Sequence, residues 1–288
     1  MKFLCLAAFI SVLFMGCKEG RTTFQYEEVA LERDISDLPL INLEGNKISE
    51  RFKVPKGFTR IDVDSTSFGH YLRNLPLKNA GEKVKYYDGA AKEKTNVYDA
   101  VVDLPIGKRD LHQCADAVIR LRAEYFYGQK KYDRIHFNFT NGFRADYDHW
   151  RNGKRIIVSG NNVSWKQRAS PSDSYKSFWN YLEMVFSYAG TASLEKEMSS
   201  ILIEELKIGD VFIKGGFPGH AVIVVDMAEH KISKEKVFLL AQSYMPAQEI
   251  QILQNPNHSA LSPWYSTEIS DRLRTPEWTF KKNQLKRF

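Results

Sequence analysis

The sequence predicts an α+β fold in which a cysteine-bearing helix packs on an antiparallel β-sheet. Three observations carry this. After Arg109-Asp110-Leu111-His112-Gln113, residues Cys114, Ala117, Val118, Leu121 and Tyr125 recur at helical spacing on one face. From Gly209 the pattern changes to strand, turn, strand, over Val211 to Lys214, Ala221 to Asp226 and Val237 to Gln242. The apolar run Ala221 to Val225 is unbroken, as in a strand covered on both faces.

In chain order, folded structure is expected from Phe52-Lys53-Val54-Pro55, followed by a strand over Thr59 to Val63. Ser65-Thr66-Ser67-Phe68 caps a helix reaching Leu72, which Pro76 stops. Val97 to Leu104 reads as a strand. Asp110 is the expected N-cap of a helix from Leu111 to about Phe126, with Gln113 completing a loose capping box. This sets Cys114 in the first turns, facing the core. Tyr132 to Thr140 alternates, with Ile135, Phe137 and Phe139 on one side and Arg134, His136, Asn138 and Thr140 on the other. Asn141-Gly142 supplies a tight turn. Phe178 to Tyr188 and Leu194 to Leu206 read as helices.

The N-terminus carries an address. Met1-Lys2 and the apolar run Phe3 to Met15 have signal-peptide form, and no later stretch approaches membrane-spanning length. Leu13-Phe14-Met15-Gly16-Cys17 resembles a bacterial lipobox, which implies lipid on Cys17 and a membrane as partner. The expected organisation is a signal over 1–16, a polar tether over 17–50 and one α+β domain over 51–288. That domain divides into an N-terminal α/β extension (51–108), a core (109–250) and a C-terminal wrap (251–288). The expected location is the bacterial cell envelope, on the outer membrane. Composition is that of a globular chain, 43% hydrophobic and 26% charged, with a formal charge of +6. Lys281, Lys282, Lys286 and Arg287 crowd the end and are expected to form a solvated tail. No basic stripe is interleaved with aromatics, so nucleic acid is not an expected partner.

Cysteine usage narrows the chemistry. Cys5 leaves with the signal, Cys17 takes lipid and Cys114 alone remains, which excludes an intramolecular disulfide and a cysteine zinc site. No His-Glu-x-x-His pattern or carboxylate cluster points to a metal, and no cofactor is expected. Lys214-Gly215-Gly216-Phe217-Pro218-Gly219 lacks the Lys and Ser/Thr of a phosphate loop.

A thiol attacks a carbonyl as thiolate, and a helix N-terminus and a neighbouring imidazole both favour that anion. Cys114 is the candidate nucleophile. His220, set on a Gly-Pro-Gly bend at the head of a strand, is the candidate base. The Cys114 backbone N–H and the Gln113 amide are the candidate oxyanion hole. Counting equally from the hairpin loop sets Gln242 or Ser243 opposite His220, and Gln242 is chosen because its amide oxygen accepts from an imidazole N–H. Asp226, at the far end of the strand, ranks lower. His136 and Asn138 share a polar strand face, Gly216 and Gly219 admit a close-approaching chain, and Tyr244 and Trp264 are candidate cleft walls. Together they are the expected substrate contacts. Against this stands a plainer reading, with Cys114 a packed small residue and His220 a structural hydrogen-bonder.

Gln113-Cys114 opening a helix, then Gly209-Asp210-Val211-Phe212 and Gly219-His220-Ala221-Val222-Ile223-Val224-Val225, resembles the CHAP and NlpC-type cysteine hydrolases of papain-like fold. The resemblance implies a papain-like core, Cys114 as nucleophile, His220 as base, Gln113 as oxyanion helper and peptide or amide bonds of peptidoglycan as substrate. The stretches Tyr71 to Pro76, Gln113 to Tyr125, His136 to Gly142, Gly209 to Asp226, Leu240 to Gln248 and Ser262 to Tyr265 are similar to an uncharacterised Gram-negative lipoprotein family, domain of unknown function 4846. The expectation is an envelope lipoprotein acting as a thiol hydrolase. The alternative is an inactive binding or scaffolding lipoprotein of the same fold.

Overall fold

A computed structural model describes residues 39–288. The expected signal, the expected lipidation site Cys17 and the first part of the expected tether lie outside the described residues. The centre of the fold is a nine-stranded antiparallel sheet. Its strands run, from one edge, Tyr98–Val101, Gln251–Leu253, Lys236–Gln242, His220–His230, Val211–Lys214, Leu285–Arg287 and Ser199–Ser200. Phe58–Arg60 pairs with the far end of His220–His230, and Tyr265–Ser266 adds to Lys236–Gln242. The class is α+β, as the sequence predicts.

The unbroken apolar run of the central strand has a direct cause. Ala221, Ile223 and Val225 face one apolar core, which the helices Cys114–Gly128 and Tyr175–Tyr188 complete. Val222 and Val224 face a second core, closed by Val84, Val97, Leu273 and Phe280. Every residue from Ala221 to Val225 is therefore at most 1% exposed. At Leu239/Leu240 the pairing slips by one residue, a bulge that turns Asp226 toward Arg60 and Arg73. That carboxylate, fully buried, is held by two guanidinium groups and is a structural ion pair. Among the described residues, no helix is long and apolar enough to cross a membrane.

Several elements differ from expectation. The helix starts at Cys114, with Gln113 as N-cap, because Asp116 Oδ2 accepts from the Gln113 backbone N–H at 3.0 Å. Asp110 instead accepts from the Ala247 N–H at 2.7 Å, tying the helix entry to the loop after Lys236–Gln242. Of Tyr132 to Thr140 only His136–Asn138 is strand, although Ile135, Phe137 and Phe139 are buried as the alternation requires. The helix expected over Leu194 to Leu206 spans Thr191–Glu197 and gives way to the edge strand Ser199–Ser200.

Packed structure also begins before residue 51. Ile48 and Phe52 are fully buried, and the Arg51 guanidinium donates to the Gly45 carbonyl at 2.8 Å. The stretch 51–108 is no separate extension, since it supplies two strands of the central sheet. The basic C-terminus is likewise no solvated tail. Leu285 is fully buried, Leu285–Arg287 lies between two strands, and Arg287 pairs with Asp210 at 2.7 Å.

Candidate active site

Cys114 is the first residue of its helix, and the helix packs against the His220–His230 strand. A cleft of about 220 Å³ opens there, lined by Asp110, Gln113, Cys114, Asp116, Gly216 and Gly219 among others. Phe217, at 96% exposure, and the exposed Met245 stand at its rim. Larger grooves of about 580 Å³ and 420 Å³ lie beside Ile61–Asp64 and beside Tyr71, and neither is lined by a thiol. Among the described residues no cluster of His, Cys, Asp or Glu is placed to hold a metal ion.

The thiol is 7% exposed. Burial pushes its pKa up to about 11, and the nearby Asp116 carboxyl adds to the rise. The backbone amides of Ala115, Ala221 and Cys114 itself face the sulfur and work the other way, but do not prevail. This corrects the expectation that helix terminus and imidazole depress the thiol: in a nearly closed site, desolvation of the anion outweighs the dipole. Ala221 is the residue after His220, so the sulfur rests against the start of the histidine strand.

His220 lies 1% exposed in an aromatic cage, with Tyr244 at 4.8 Å, Trp278 at 5.4 Å and Phe280 at 5.8 Å between ring centroids. Desolvation lowers the imidazole to about 4, against the opposing pull of its Gln242 hydrogen bond and of Glu277. His220 Nε2 and Gln242 Oε1 are 2.8 Å apart. Gln242 thus meets the imidazole, although not by the expected register. The ladder sets Ala241 beside Ile223, so Gln242 falls next to Val222 and reaches His220 diagonally on the same sheet face. Equal counting misses because the first strand extends four residues past Asp226 and the second only one before Val237, and the bulge at Leu239/Leu240 then takes back one residue of that shift.

Behind Gln242 lies a chain of polar groups that sequence reasoning missed. Gln242 Nε2 donates to Glu277 Oε2 at 2.8 Å, and Lys92 Nζ donates to the same oxygen at 2.8 Å. Lys92 also reaches Gln248 Oε1 at 3.0 Å. Lys92 and Glu277 sit in stretches without periodic pattern, so nothing in the sequence marks them. The apolar rim residues Phe217 and Met245 carried only a weak signal, as large apolar residues inside Gly/Pro-rich turns.

The other sequence-predicted residues divide clearly. Gly216 and Gly219 line the cleft, and Tyr244 stacks edge-on against His220. Gln113 lines the cleft too, with its side-chain amide donating to Asp110 Oδ1 at 3.1 Å. His136 and Asn138 belong to a separate two-stranded hairpin with Arg144–Asp146, where the Asn138 backbone N–H donates to Glu197 at 2.6 Å. They do not line the cleft. Trp264 is fully buried, its indole N–H donating to the Lys53 carbonyl at 2.8 Å, and is a core residue, not a cleft wall. Asp226 is engaged by Arg60 and Arg73, away from His220.

The arrangement offers a neutral thiol at a helix N-terminus, in a small cleft shared with the glycine loop, and a neutral imidazole, held by an amide, on the residue before Ala221, whose backbone N–H faces the sulfur. No curated protein and no solved structure matches the chain. The family described as domain of unknown function 4846 matches residues 48–287, most of the chain, and the protein belongs to that family.

Proposed function

We propose that the protein is an envelope-anchored thiol hydrolase of papain-like architecture that cleaves peptide or amide bonds, with peptidoglycan peptides as the substrate class. The observation that carries this reading is a helix-opening cysteine in a cleft, its sulfur faced by the Ala221 backbone N–H, next to a histidine whose Nε2 lies 2.8 Å from Gln242 Oε1. An imidazole engaged through Nε2 has Nδ1 left for exchanging a proton with a thiol.

In the proposed cycle the Cys114 proton passes to His220 Nδ1 as sulfur attacks the substrate carbonyl carbon. The C–S bond forms and the carbonyl π pair moves onto oxygen, toward the Cys114 backbone N–H. Gln113 is engaged by Asp110 at rest, so the backbone donor bears this role first. Collapse breaks the C–N bond, and the leaving amine takes the proton from the imidazolium. Water, losing a proton to Nδ1, then attacks the thioester, releasing a carboxylic acid and restoring the thiol. Because burial holds Cys114 near 11 and His220 near 4, the resting pair is neutral and the proton moves only during attack. Phe217 and Met245 at the rim suit an apolar side chain of the bound peptide.

The test is iodoacetamide labelling of Cys114, with Cys17 replaced, in the unsubstituted protein and in His220→Ala, paired with amine release from purified peptidoglycan peptides. Labelling near pH 7 should fall about tenfold or more without His220, and amine release should vanish in Cys114→Ser. Equal, slow labelling in both proteins, relieved only by denaturant, would discard the hydrolase. A second reading would then stand, favoured by the buried thiol: an inactive lipoprotein that holds a wall peptide in the same cleft.

A further inference from the structure

Three buried side chains in a row end on the candidate base. Lys92 is 3% exposed and the Glu277 side chain 12%, and they meet at 2.8 Å. The same carboxylate oxygen accepts from Gln242, which is 1% exposed, and Gln242 in turn meets His220. An amide has a donating end and an accepting end, and its orientation is normally a choice among near-equals. Here it is not. A carboxylate paired with an ammonium only accepts, so the Gln242 NH₂ must face Glu277 and its oxygen must face the imidazole. An amide oxygen only accepts as well, so His220 Nε2 must carry the hydrogen and Nδ1 must carry the lone pair.

We infer that Glu277, held by Lys92, is a positioning residue that sets the tautomer of His220 through the Gln242 amide. This rests on the hydrolase reading for its catalytic meaning, but the tautomer itself is independent of activity. The group acts at two removes from the ring, so no contact with substrate is required of it. The ion pair also explains why two charges are retained beside an aromatic cage, where desolvation makes them costly. The chemistry asked of them is directional, and an apolar pair of the same volume would leave the amide free to flip. With the flip, Nε2 would face the NH₂ and accept, the proton would move to Nδ1, and Nδ1, the base of the proposed cycle, would carry no lone pair.

The experiment is nitrogen-15 NMR of the imidazoles near neutral pH, with the His220 resonances assigned by their loss in His220→Gln. The unsubstituted protein should show His220 with Nε2 protonated and Nδ1 bare. Glu277→Gln, made together with Lys92→Met so that no ammonium orients the new amide, keeps the volume but can donate as well as accept, so it should yield a mixture of tautomers or the reversed one. Glu277→Asp, which restores an acceptor-only group, should return the original tautomer at least in part. Where cleavage is measurable, the double variant should lower kcat about tenfold or more with little change in KM, as for a base held in the wrong tautomer. Circular dichroism of each variant checks the fold. An unchanged Nε2–H tautomer in the folded double variant overturns the inference, and so does a reversed tautomer in the unsubstituted protein. Should Glu277 set the tautomer while Cys114 labelling ignores His220, the hydrolase reading falls and the positioning stands.

Discussion

At the scale of single residues, burial decides the protonation of the site. His112 and His220 are both essentially closed to solvent, and desolvation, the leading cause for each, lowers them to about 3 and about 4. His112 Nδ1 faces the Gln248 carbonyl at 3.3 Å, while its Nε2 is buried without a partner, so a charge there would be poorly met. The sign of the pH effect follows. Below the ordinary histidine pKa of 6.5 the unfolded chain binds a proton that the folded chain refuses until about pH 3. The neutral His112 is thus tolerated fully above pH 6.5, and stability is lost as pH falls from there, by about 1.4 kcal/mol per unit for each such group. Asp116 and Glu197 are raised by burial and act in the opposite sense, so the total curve mixes both. A difference isolates one group. His112→Gln stays neutral at every pH, so the melting-temperature advantage of the unsubstituted protein over it should shrink between pH 6.5 and 4 in thermal scans. A constant gap would show that His112 takes up its proton without cost. Cysteine at the head of a helix, histidine at the head of a strand and glutamine as partner were all legible from residue type and pattern. Their pKa values were not, because desolvation is set by neighbours such as Trp278 and Phe280 that lie far along the chain.

At the scale of elements, the glycine loop before His220 shapes the cleft. A Cβ on Gly219 would fall inside contact distance of the Gly216 and Lys214 carbonyls and the Thr191 hydroxyl. Only a residue without a side chain lets the loop close on the Thr191–Glu197 helix. Gly219→Ala should therefore destabilise the protein by about 1–3 kcal/mol and slow the His220-dependent labelling of Cys114. Gly128, the last residue of the cysteine helix, has no atom within 4 Å of its Cβ position. Gly128→Ala should change stability by about 0.5 kcal/mol or less, and denaturant unfolding of the two variants checks the contrast. Elements with strong periodicity were readable: the helix Tyr175–Tyr188 and the strands Val211–Lys214 and Lys236–Gln242 lie within a few residues of expectation. The hairpin Lys154–Ser159 with Asn162–Gln167 was not. Of its residues only Ile156 is buried, and the one alternating stretch, Val163 and Trp165 between polar residues, is too short to mark a strand by itself.

At the scale of the whole molecule, the two ends of the folded chain close the structure around its central sheet. Leu285–Arg287 enters between Val211–Lys214 and Ser199–Ser200, and Phe288 lies under the Arg122 guanidinium at 4.1 Å. Removal of residues 285–288 should cost about 3 kcal/mol or more, from the lost burial of Leu285 and the lost strand pairing. Neutralising the exposed Lys281 with Gln should cost about 0.5 kcal/mol or less. Equal melting temperatures for the truncated and full chains would return the segment to the solvated tail that its charge suggests. Charge misled here because four basic side chains hide one buried leucine, and composition cannot show which strand a short segment joins. The class, the two-sided central strand and a cysteine in the first turns of a helix follow from the sequence alone, and so does the preference for a glutamine over a serine as partner of His220, since each is written in local periodicity or residue chemistry. Tertiary structure alone decided the register that brings Gln242 diagonally to the imidazole, the aromatic cage around it, the Lys92–Glu277 pair behind it and the exclusion of His136, Asn138 and Trp264. The physical reason is separation: those contacts join residues up to 185 positions apart, and burial is a property of what surrounds a side chain, not of the chain on either side of it.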